Sequence, residues 1–220
     1  MIVRIVKKDK SVSGIIHLPP SKSIHNRVQI IRALSGVDFI ISPSPAANDS
    51  VLLEKLLKSD TTTLDAEDAG TTLRFLTAYL AQKPGEWILT GTERMKQRPI
   101  GILVAALKQL GADIQYAEKE NYPPLKISGR KLKGGTIEID GGISSQFISA
   151  LLLIAPVIES GLTIKLKGEI VSRPYIEMTL GLMKEFGINY EWKGNDITVK
   201  QQKYAPTDFN VDRKSTRLNS

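Results

Sequence analysis

Hydrophobic and polar positions change their spacing in a regular order in the middle of the chain. A strand pattern at 87–90 is followed by a basic turn at 98–100, and apolar residues then recur at helical spacing through Leu110. An alternating pattern at 114–127 is typical of a β-hairpin. This stretch therefore predicts a strand, a helix and a hairpin.

The same order returns further along the chain. A strand pattern at 162–166 is followed by a basic turn at 173–176, helical spacing through Phe186 and a hairpin pattern at 188–199. Both copies place a Pro in the predicted first helical turn and a Gly at a left-handed helix end, namely Pro99 and Pro174, then Gly111 and Gly187. The chain therefore contains an internal repeat.

The repeat extends upstream of both strand patterns, because residues 68–70 align with residues 144–146. The first residue of each triplet, an Asp and a Ser, is a good N-cap type. Mostly apolar runs follow at 72–80 and 147–154, as expected for helices packed deep in a core. Each triplet therefore predicts a helix start.

A third, less complete copy precedes these two. Residues 20–23 open a helix pattern at 24–34, a strand pattern follows at 38–42, and residues 48–50 are predicted to cap a helix at 51–58. The predicted fold class is α/β (α+β). Its unit is strand-helix-strand-helix-strand-strand, given three times around a pseudo-threefold axis.

Composition narrows the function classes. The chain has 30 Lys plus Arg against 23 Asp plus Glu, a formal net charge of +7, which favours nucleic acid, an anionic membrane or a small phosphorylated substrate. With no Cys and two His, it offers no thiolate or His-rich metal site. The longest apolar run, 147–158, is shorter than a bilayer span, and 1–10 lacks the apolar core of a signal peptide. We expect a cytoplasmic location.

Cations lie near the predicted helix starts, which carry small hydroxyl residues or Gly. Such a start offers free N–H groups and the positive end of the helix dipole to an anion. Lys22 adds a point charge, and Arg27, one helical turn later, adds a planar guanidinium group. Arg98 and Arg173 lie at two further predicted helix starts. A cation there costs about 0.3–1 kcal/mol against the dipole. The pattern therefore predicts that an anion lies between them.

Each of these residues also has an ordinary structural interpretation. Ser at a helix start is most often an N-cap, and Gly70 could form a tight turn. Lys22 and Arg27 could form a solvated face, and Arg74 could pair with an upstream Asp. Gln146 could satisfy backbone groups of the core. Recurrence at equivalent places in the repeats favours the functional interpretation.

Five motifs resemble those of the EPSP synthase family and occur in that family's order. They are Leu-Pro-Pro-Ser-Lys-Ser-Ile-His-Asn-Arg at 18–27, Asp-Ala-Gly-Thr-Thr-Leu-Arg at 68–74, Arg-Met-Lys-Gln-Arg-Pro-Ile at 94–100, Ser-Ser-Gln-Phe at 144–147 and Val-Ser-Arg-Pro-Tyr-Ile at 171–176. The resemblance covers about 2–199 and implies the fold of that family's first domain.

The resemblance implies transfer of the enolpyruvyl group of phosphoenolpyruvate to the 5-hydroxyl of shikimate 3-phosphate, with release of phosphate. This is a step of the shikimate pathway to chorismate and the aromatic amino acids, and the family is the target of glyphosate. The resemblance implies no metal or other cofactor, no nucleic-acid or membrane partner, and a monomer. Both substrates are polyanions, in agreement with the predicted anion-binding helix starts.

The resemblance also implies site residues. Lys22 touches both substrates and contributes electrostatically to catalysis. The residues that correspond to the shikimate 3-phosphate site are Lys22, Ser23, Arg27, Ser144, Ser145, Gln146, Ser172 and Tyr175. Those that correspond to the phosphoenolpyruvate site are Lys22, Gly70, Arg98 and Gln146.

Family members carry a second domain whose acid–base carboxylates complete the cleft, so we expect this chain by itself to turn over negligibly. Residues 1–18 resemble strands that the family gives largely to that domain, and 19–205 the substrate-binding repeat domain. In 206–220 the resemblance ends, with an unrelated tail from about 213.

Three residues depart from the family's usual choices. Asp68 stands where many members have Asn, Pro20 where Gly is frequent, and Arg173 where Lys is frequent. Asp68 places a negative charge near the implied phosphoenolpyruvate site.

Two alternative functions stay open. One is the UDP-N-acetylglucosamine enolpyruvyl transferase, which typically has Lys-Asn where this chain has Lys22-Ser23, and a loop cysteine that this chain lacks. The other is a basic nucleic-acid-binding module on the same repeat, although few aromatic residues lie among the cations singled out above.

Overall fold

Seven helices and ten strands form the part of the chain that the computed structural model describes, residues 19–211. The helices are α1 (Lys22–Ser35), α2 (Asn48–Leu57), α3 (Gly70–Gln82), α4 (Glu93–Lys96), α5 (Gly101–Gln109), α6 (Ser145–Ile154) and α7 (Arg173–Glu185). The strands are β1 (Ile41–Ser42), β2 (Thr63–Asp65), β3 (Gly85–Thr90), β4 (Asp113–Tyr116), β5 (Leu125–Gly129), β6 (Gly135–Asp140), β7 (Leu162–Lys167), β8 (Tyr190–Lys193), β9 (Asp196–Val199) and β10 (Phe209–Asn210). The predicted mixed α/β class is confirmed.

Two four-stranded sheets have the same topology. Their orders are β2-β3-β5-β4 and β6-β7-β9-β8, and in each the first pair is parallel and the other two are antiparallel. Helices α3 and α6 connect the parallel strands, which no hairpin can join. The two predicted repeat copies are therefore equivalent units, and both predicted hairpins form.

The third copy keeps its helices but has a small sheet. The strand pattern at 38–42 gives only the two residues of β1, which pairs in parallel with β10. The pseudo-threefold axis stays a prediction. The strands predicted within 1–18 and the tail from 213 lie outside the described residues.

Helices α1, α3 and α6 contact one another in the core. Helix α6 is apolar on all sides, and each of its residues except Gln146 is buried. Residues 72–81 of α3 are buried as well. A helix with no polar face is stable only when other elements surround it, so the two apolar runs predicted from sequence define the centre of the fold.

Several predicted caps follow the sequence and others do not. Ser21 and Ser144 cap α1 and α6, accepting hydrogen bonds from the backbone N–H of Ile24 and Gln146 at 3.5 and 3.4 Å. The Asp68 cap is wrong: Ala69 precedes the first residue of α3, and Asp68 instead accepts a hydrogen bond from the Thr92 hydroxyl at 2.6 Å. A tertiary partner thus replaces the local one.

Three further predictions concern helix ends. Residues 48–50 form the first turn of α2 rather than its cap, since the helix begins one turn early. Pro174 lies in the first turn of α7, as predicted, but Pro99 precedes α5. Gly111 and Gly187 both have left-handed φ, at 94° and 82°, as predicted.

His25 of α1 gives the fold an acid-sensitive group. Its Nε2 lies 3.1 Å from the Pro43 carbonyl oxygen and so carries the proton, while its buried Nδ1 has no partner within the described residues. Burial lowers the pKa of His25, and the Pro43 bond opposes this only in part. A depressed pKa adds stability above the unfolded value of about 6.5, and that stability is lost as pH falls through the folded value.

We therefore expect the free energy of unfolding to fall more steeply below pH 6.5 in the wild type than in His25→Gln. Urea unfolding at pH 7.5 and pH 5 measures the difference. If the free energy of unfolding fell equally between pH 7.5 and pH 5 in the two proteins, His25 would not be the acid-sensitive group.

Candidate anion-binding site

A cavity of about 330 Å³ lies where the starts of α1, α3, α6 and α7 meet. It is lined by Lys22, Ser23, Asn26, Arg27, Thr71, Ser144, Ser145, Gln146 and Tyr175. Seven of these were predicted from the sequence as shikimate 3-phosphate-site residues. A larger cavity of about 710 Å³, bordered by Leu34, Pro156 and Tyr204, contains no predicted site residue.

Arg27 is the most deeply placed cation of this cavity, with 2% of its surface exposed. Its Nε donates to the Thr179 hydroxyl at 2.7 Å, one terminal nitrogen to the Ser149 hydroxyl at 3.0 Å, and the other to the Ser23 carbonyl oxygen at 2.8 Å. A guanidinium has five N–H donors, so two remain. The Arg27 side chain is therefore held rigidly and keeps donors for a ligand.

Gly70 begins α3 beside two further guanidinium groups. A Cβ at this position would contact Nη1 of Arg98 and would lie 2.7 Å from Nη1 of Arg74. Arg74 is buried, donates to the Gly70 carbonyl oxygen at 2.8 Å and stacks over Phe147 at 5.2 Å. It does not pair with Asp65 or Asp68. Arg98 is exposed and precedes α5, so it lies beside the start of α3 rather than at a helix start of its own.

The three arginines have no acidic partner in the described part of the chain: no carboxylate there lies within 4.0 Å of Arg27, Arg74 or Arg98. Burial lowers the pKa of Arg27 to about 10. Burial, and then the nearby charge of Arg98, lower the pKa of Arg74 to about 10. Both remain protonated at neutral pH, so the site presents uncompensated positive charge to an anion.

Lys22 has a carboxylate partner that sequence analysis missed. Its Nζ lies 3.0 Å from Oδ2 of Asp49, in the first turn of α2. The Asp49 carbonyl oxygen accepts a hydrogen bond from the Thr72 hydroxyl of α3. An acidic residue in a first helical turn ordinarily complements the dipole, so the sequence held no signal for this contact. Thr71 and Asn26, which also line the cavity, and Arg74 beside Gly70 were not predicted as site residues.

Two residues of the 171–176 motif lie apart from the cavity lining. Ser172 is the N-cap residue of α7, but its side chain makes no capping bond. Arg173, predicted as an anion-facing cation, stacks over Trp192 at 4.4 Å and donates to Glu177 at 2.9 Å. The prediction for Arg173 is wrong because the β8 tryptophan and a carboxylate one helical turn on hold its guanidinium.

We therefore expect Arg173→Ala to leave anion binding at the cavity unchanged within about twofold and to cost less than about 1 kcal/mol of stability, since its ion pair is exposed. Ligand titration and urea unfolding measure the two effects. A tenfold loss of anion affinity in Arg173→Ala would show that Arg173 contributes to the site.

Two kinds of feature are absent from the described residues. No helix within 19–211 is both long and apolar enough to span a bilayer. In the same range, no three potential ligands among His, Cys, Asp and Glu lie together as a metal site would require.

Within the described residues, the repeated α/β units bring helix starts, Lys22 and Arg27 to one cavity, and so define an α/β protein with a cationic cavity. The profile of EPSP synthase (3-phosphoshikimate 1-carboxyvinyltransferase) matches residues 11–215. The chain therefore belongs to the EPSP synthase family, and neither alternative function is favoured.

Curated relatives and solved structures agree with this assignment. A 3-phosphoshikimate 1-carboxyvinyltransferase of Bacteroides fragilis (strain YCH46) is 48% identical over 209 residues, covering 94% of this chain and 51% of the relative. A 3-phosphoshikimate 1-carboxyvinyltransferase of Vibrio atlanticus is 43% identical over 232 residues, covering 92% of this chain and 54% of the relative. The solved EPSP synthase from Acinetobacter baumannii has a TM-score of 0.75 at 19% identity, over 90% of this chain and 50% of that one, and shares the fold. The chain spans about half the length of the curated relatives it matches.

Proposed function

We propose that this chain supplies the shikimate 3-phosphate site and part of the phosphoenolpyruvate site of an EPSP synthase. The observation that carries the proposal is the cavity, where helix starts and the buried, uncompensated Arg27 converge. Shikimate 3-phosphate is a small ring with hydroxyls, one carboxylate and one phosphate. The cavity offers it serine hydroxyls, the Gln146 amide and Tyr175.

In the proposed reaction, the 5-hydroxyl of shikimate 3-phosphate gives up its proton to a base as its oxygen bonds to C2 of phosphoenolpyruvate, and an acid adds a proton to the methylene carbon. Loss of a proton from that carbon and cleavage of the C–O bond to phosphate then regenerate the double bond. Lys22 and Arg98 stabilise charge on the phosphate and carboxylate groups. Gly70, which has no Cβ, lets the guanidinium groups of Arg98 and Arg74 lie against the start of α3.

The proton transfers need acid–base groups within hydrogen-bond reach of the reacting atoms. Among the residues lining the cavity there is no carboxylate, and Asp49 is paired with Lys22. We propose that the second domain of the family supplies those carboxylates, that 19–205 is the substrate-binding unit, and that the protein acts as a cytoplasmic monomer without metal, nucleic acid or membrane. Gly70 favours sensitivity to glyphosate.

Calorimetric titration of the 220-residue chain with shikimate 3-phosphate tests the proposal. We expect saturable binding at or below millimolar concentration, and weaker binding of shikimate, which lacks the phosphate. UDP-N-acetylglucosamine and a short RNA serve as comparison ligands for the two alternatives. No binding of shikimate 3-phosphate at millimolar concentration, or tighter binding of either comparison ligand, would contradict the proposal.

A further inference from the structure

Two buried hydroxyls on neighbouring helices hold the guanidinium of Arg27. Ser149 of α6 and Thr179 of α7 are both 0% exposed. Each accepts a hydrogen bond from Arg27, at 3.0 and 2.7 Å, and their own oxygens lie 2.8 Å apart. Neither residue lines the cavity, so any effect they have on a ligand is indirect.

The direction of every hydrogen bond in this group is determined. The Thr179 hydroxyl lies 2.8 Å from the Tyr175 carbonyl oxygen, which can only accept, so Thr179 donates its single proton there. Ser149 must then donate to Thr179. Both hydroxyls therefore present only lone pairs to Arg27, and the chain of bonds ends in the first turn of α7, where Tyr175 borders the cavity.

Hydroxyl partners orient a guanidinium without cancelling its charge. A carboxylate in their place would form an ion pair with Arg27 and oppose the arrival of a second anion. The ring of Phe75, 5.5 Å from the guanidinium carbon, borders the group without adding negative charge. The two remaining N–H donors and the full positive charge of Arg27 are thus left for the cavity.

We propose that Ser149 and Thr179 are positioning residues, which fix Arg27 without neutralising it and so set the affinity of the cavity for a phosphate or carboxylate group of its ligand. The inference rests on the proposed function, because the ligand used to test it is shikimate 3-phosphate. It assigns to two core hydroxyls a role in recognition in addition to packing.

The test compares Thr179→Val, which removes the acceptor at nearly constant volume, with Thr179→Ser, which keeps it. In the 220-residue chain we expect Thr179→Val to weaken shikimate 3-phosphate binding by about 10- to 100-fold, the range for a hydrogen bond to a charged group. Thr179→Ser should bind within about threefold of the wild type. Thr77→Val is the matched control, since the buried Thr77 hydroxyl donates only to the Leu73 carbonyl oxygen at 2.8 Å.

A second readout is the Arg27 Nε–H signal in a ¹H–¹⁵N spectrum, assigned by its loss in Arg27→Met. This signal should shift in Thr179→Val and stay in place in Thr77→Val. If Thr179→Val does not fold, the affinity of Ser149→Ala for shikimate 3-phosphate is measured in its place. Wild-type affinity in a folded Thr179→Val or Ser149→Ala, or an equal loss in Thr77→Val, would overturn the inference. Failure of the wild type to bind would instead overturn the proposed function.

Discussion

Replacing Arg27 by Met is expected to weaken shikimate 3-phosphate binding by at least about 100-fold and yet to leave the stability of the chain unchanged or higher. The two free N–H donors of Arg27 each form a hydrogen bond to a charged group in the proposed complex, worth about 1.5–3 kcal/mol. Their joint loss gives the expected fall in affinity.

The stability of Arg27→Met follows from the burial of Arg27. Its pKa is lowered to about 10 by burial, so the protonated folded chain is disfavoured at neutral pH by an amount on the order of 3 kcal/mol. Met removes that charge and fills much of the volume, and apolar replacement of a buried ion pair, the related case, is often neutral or stabilising. Ser149 and Thr179 keep their bond to each other.

Urea unfolding and calorimetric titration measure the two quantities on the same protein. Arg32→Met is the control on the same helix, since Arg32 is paired with Glu54 at 3.2 Å and lies outside the cavity lining. It should lose some stability and keep its affinity. A loss of more than about 3 kcal/mol in Arg27→Met, with affinity retained, would make Arg27 a structural residue.

The second large effect is expected for Gly70→Ala. Its Cβ would contact Arg98 Nη1 and lie 2.7 Å from Arg74 Nη1, so both guanidinium ends must move. Loss of one charge-assisted bond weakens phosphoenolpyruvate binding by about 10- to 100-fold. Shikimate 3-phosphate binding should change by less than about threefold, because Gly70 does not line the cavity.

Titration of phosphoenolpyruvate into the chain saturated with shikimate 3-phosphate measures this selectivity. Gly181→Ala in α7 is the matched control: no heavy atom lies within 4 Å of the added Cβ. That substitution should stabilise the helix by about 0.5–1 kcal/mol and leave both ligands unaffected. If Gly70→Ala weakened the binding of both ligands equally, its effect would not be confined to the contact with Arg98, and the prediction would be contradicted.

Local patterns predicted the elements that are long or strongly periodic. Helices α3 and α6 and both hairpins follow from apolar spacing, because a buried helix must be apolar on all sides. Strand β1 was overestimated because its partner β10 comes from the far end of the chain. The Asp68 cap failed for the same kind of reason, since its partner is Thr92 rather than the adjacent backbone.

For the site as well, some features could be predicted from the sequence and others could not. Hydroxyls, Gly and cations at helix starts are visible in the sequence, and seven of the eight residues that the family resemblance implies for the shikimate 3-phosphate site line one cavity. Contacts that depend on packing between helices are not visible: the Lys22 pair with Asp49 and the hydroxyls that hold Arg27. Arg173 was misplaced because Trp192 offers its guanidinium a partner that spacing does not reveal.

The proposed site is tested most directly by a ¹H–¹⁵N titration of the chain with shikimate 3-phosphate. We expect the largest shifts at Ser23, Ser145, Gln146 and the Arg27 Nε–H, around the cavity where the helix starts meet. Shifts centred on the larger cavity near Leu34 and Tyr204, or no shifts at millimolar ligand, would contradict it.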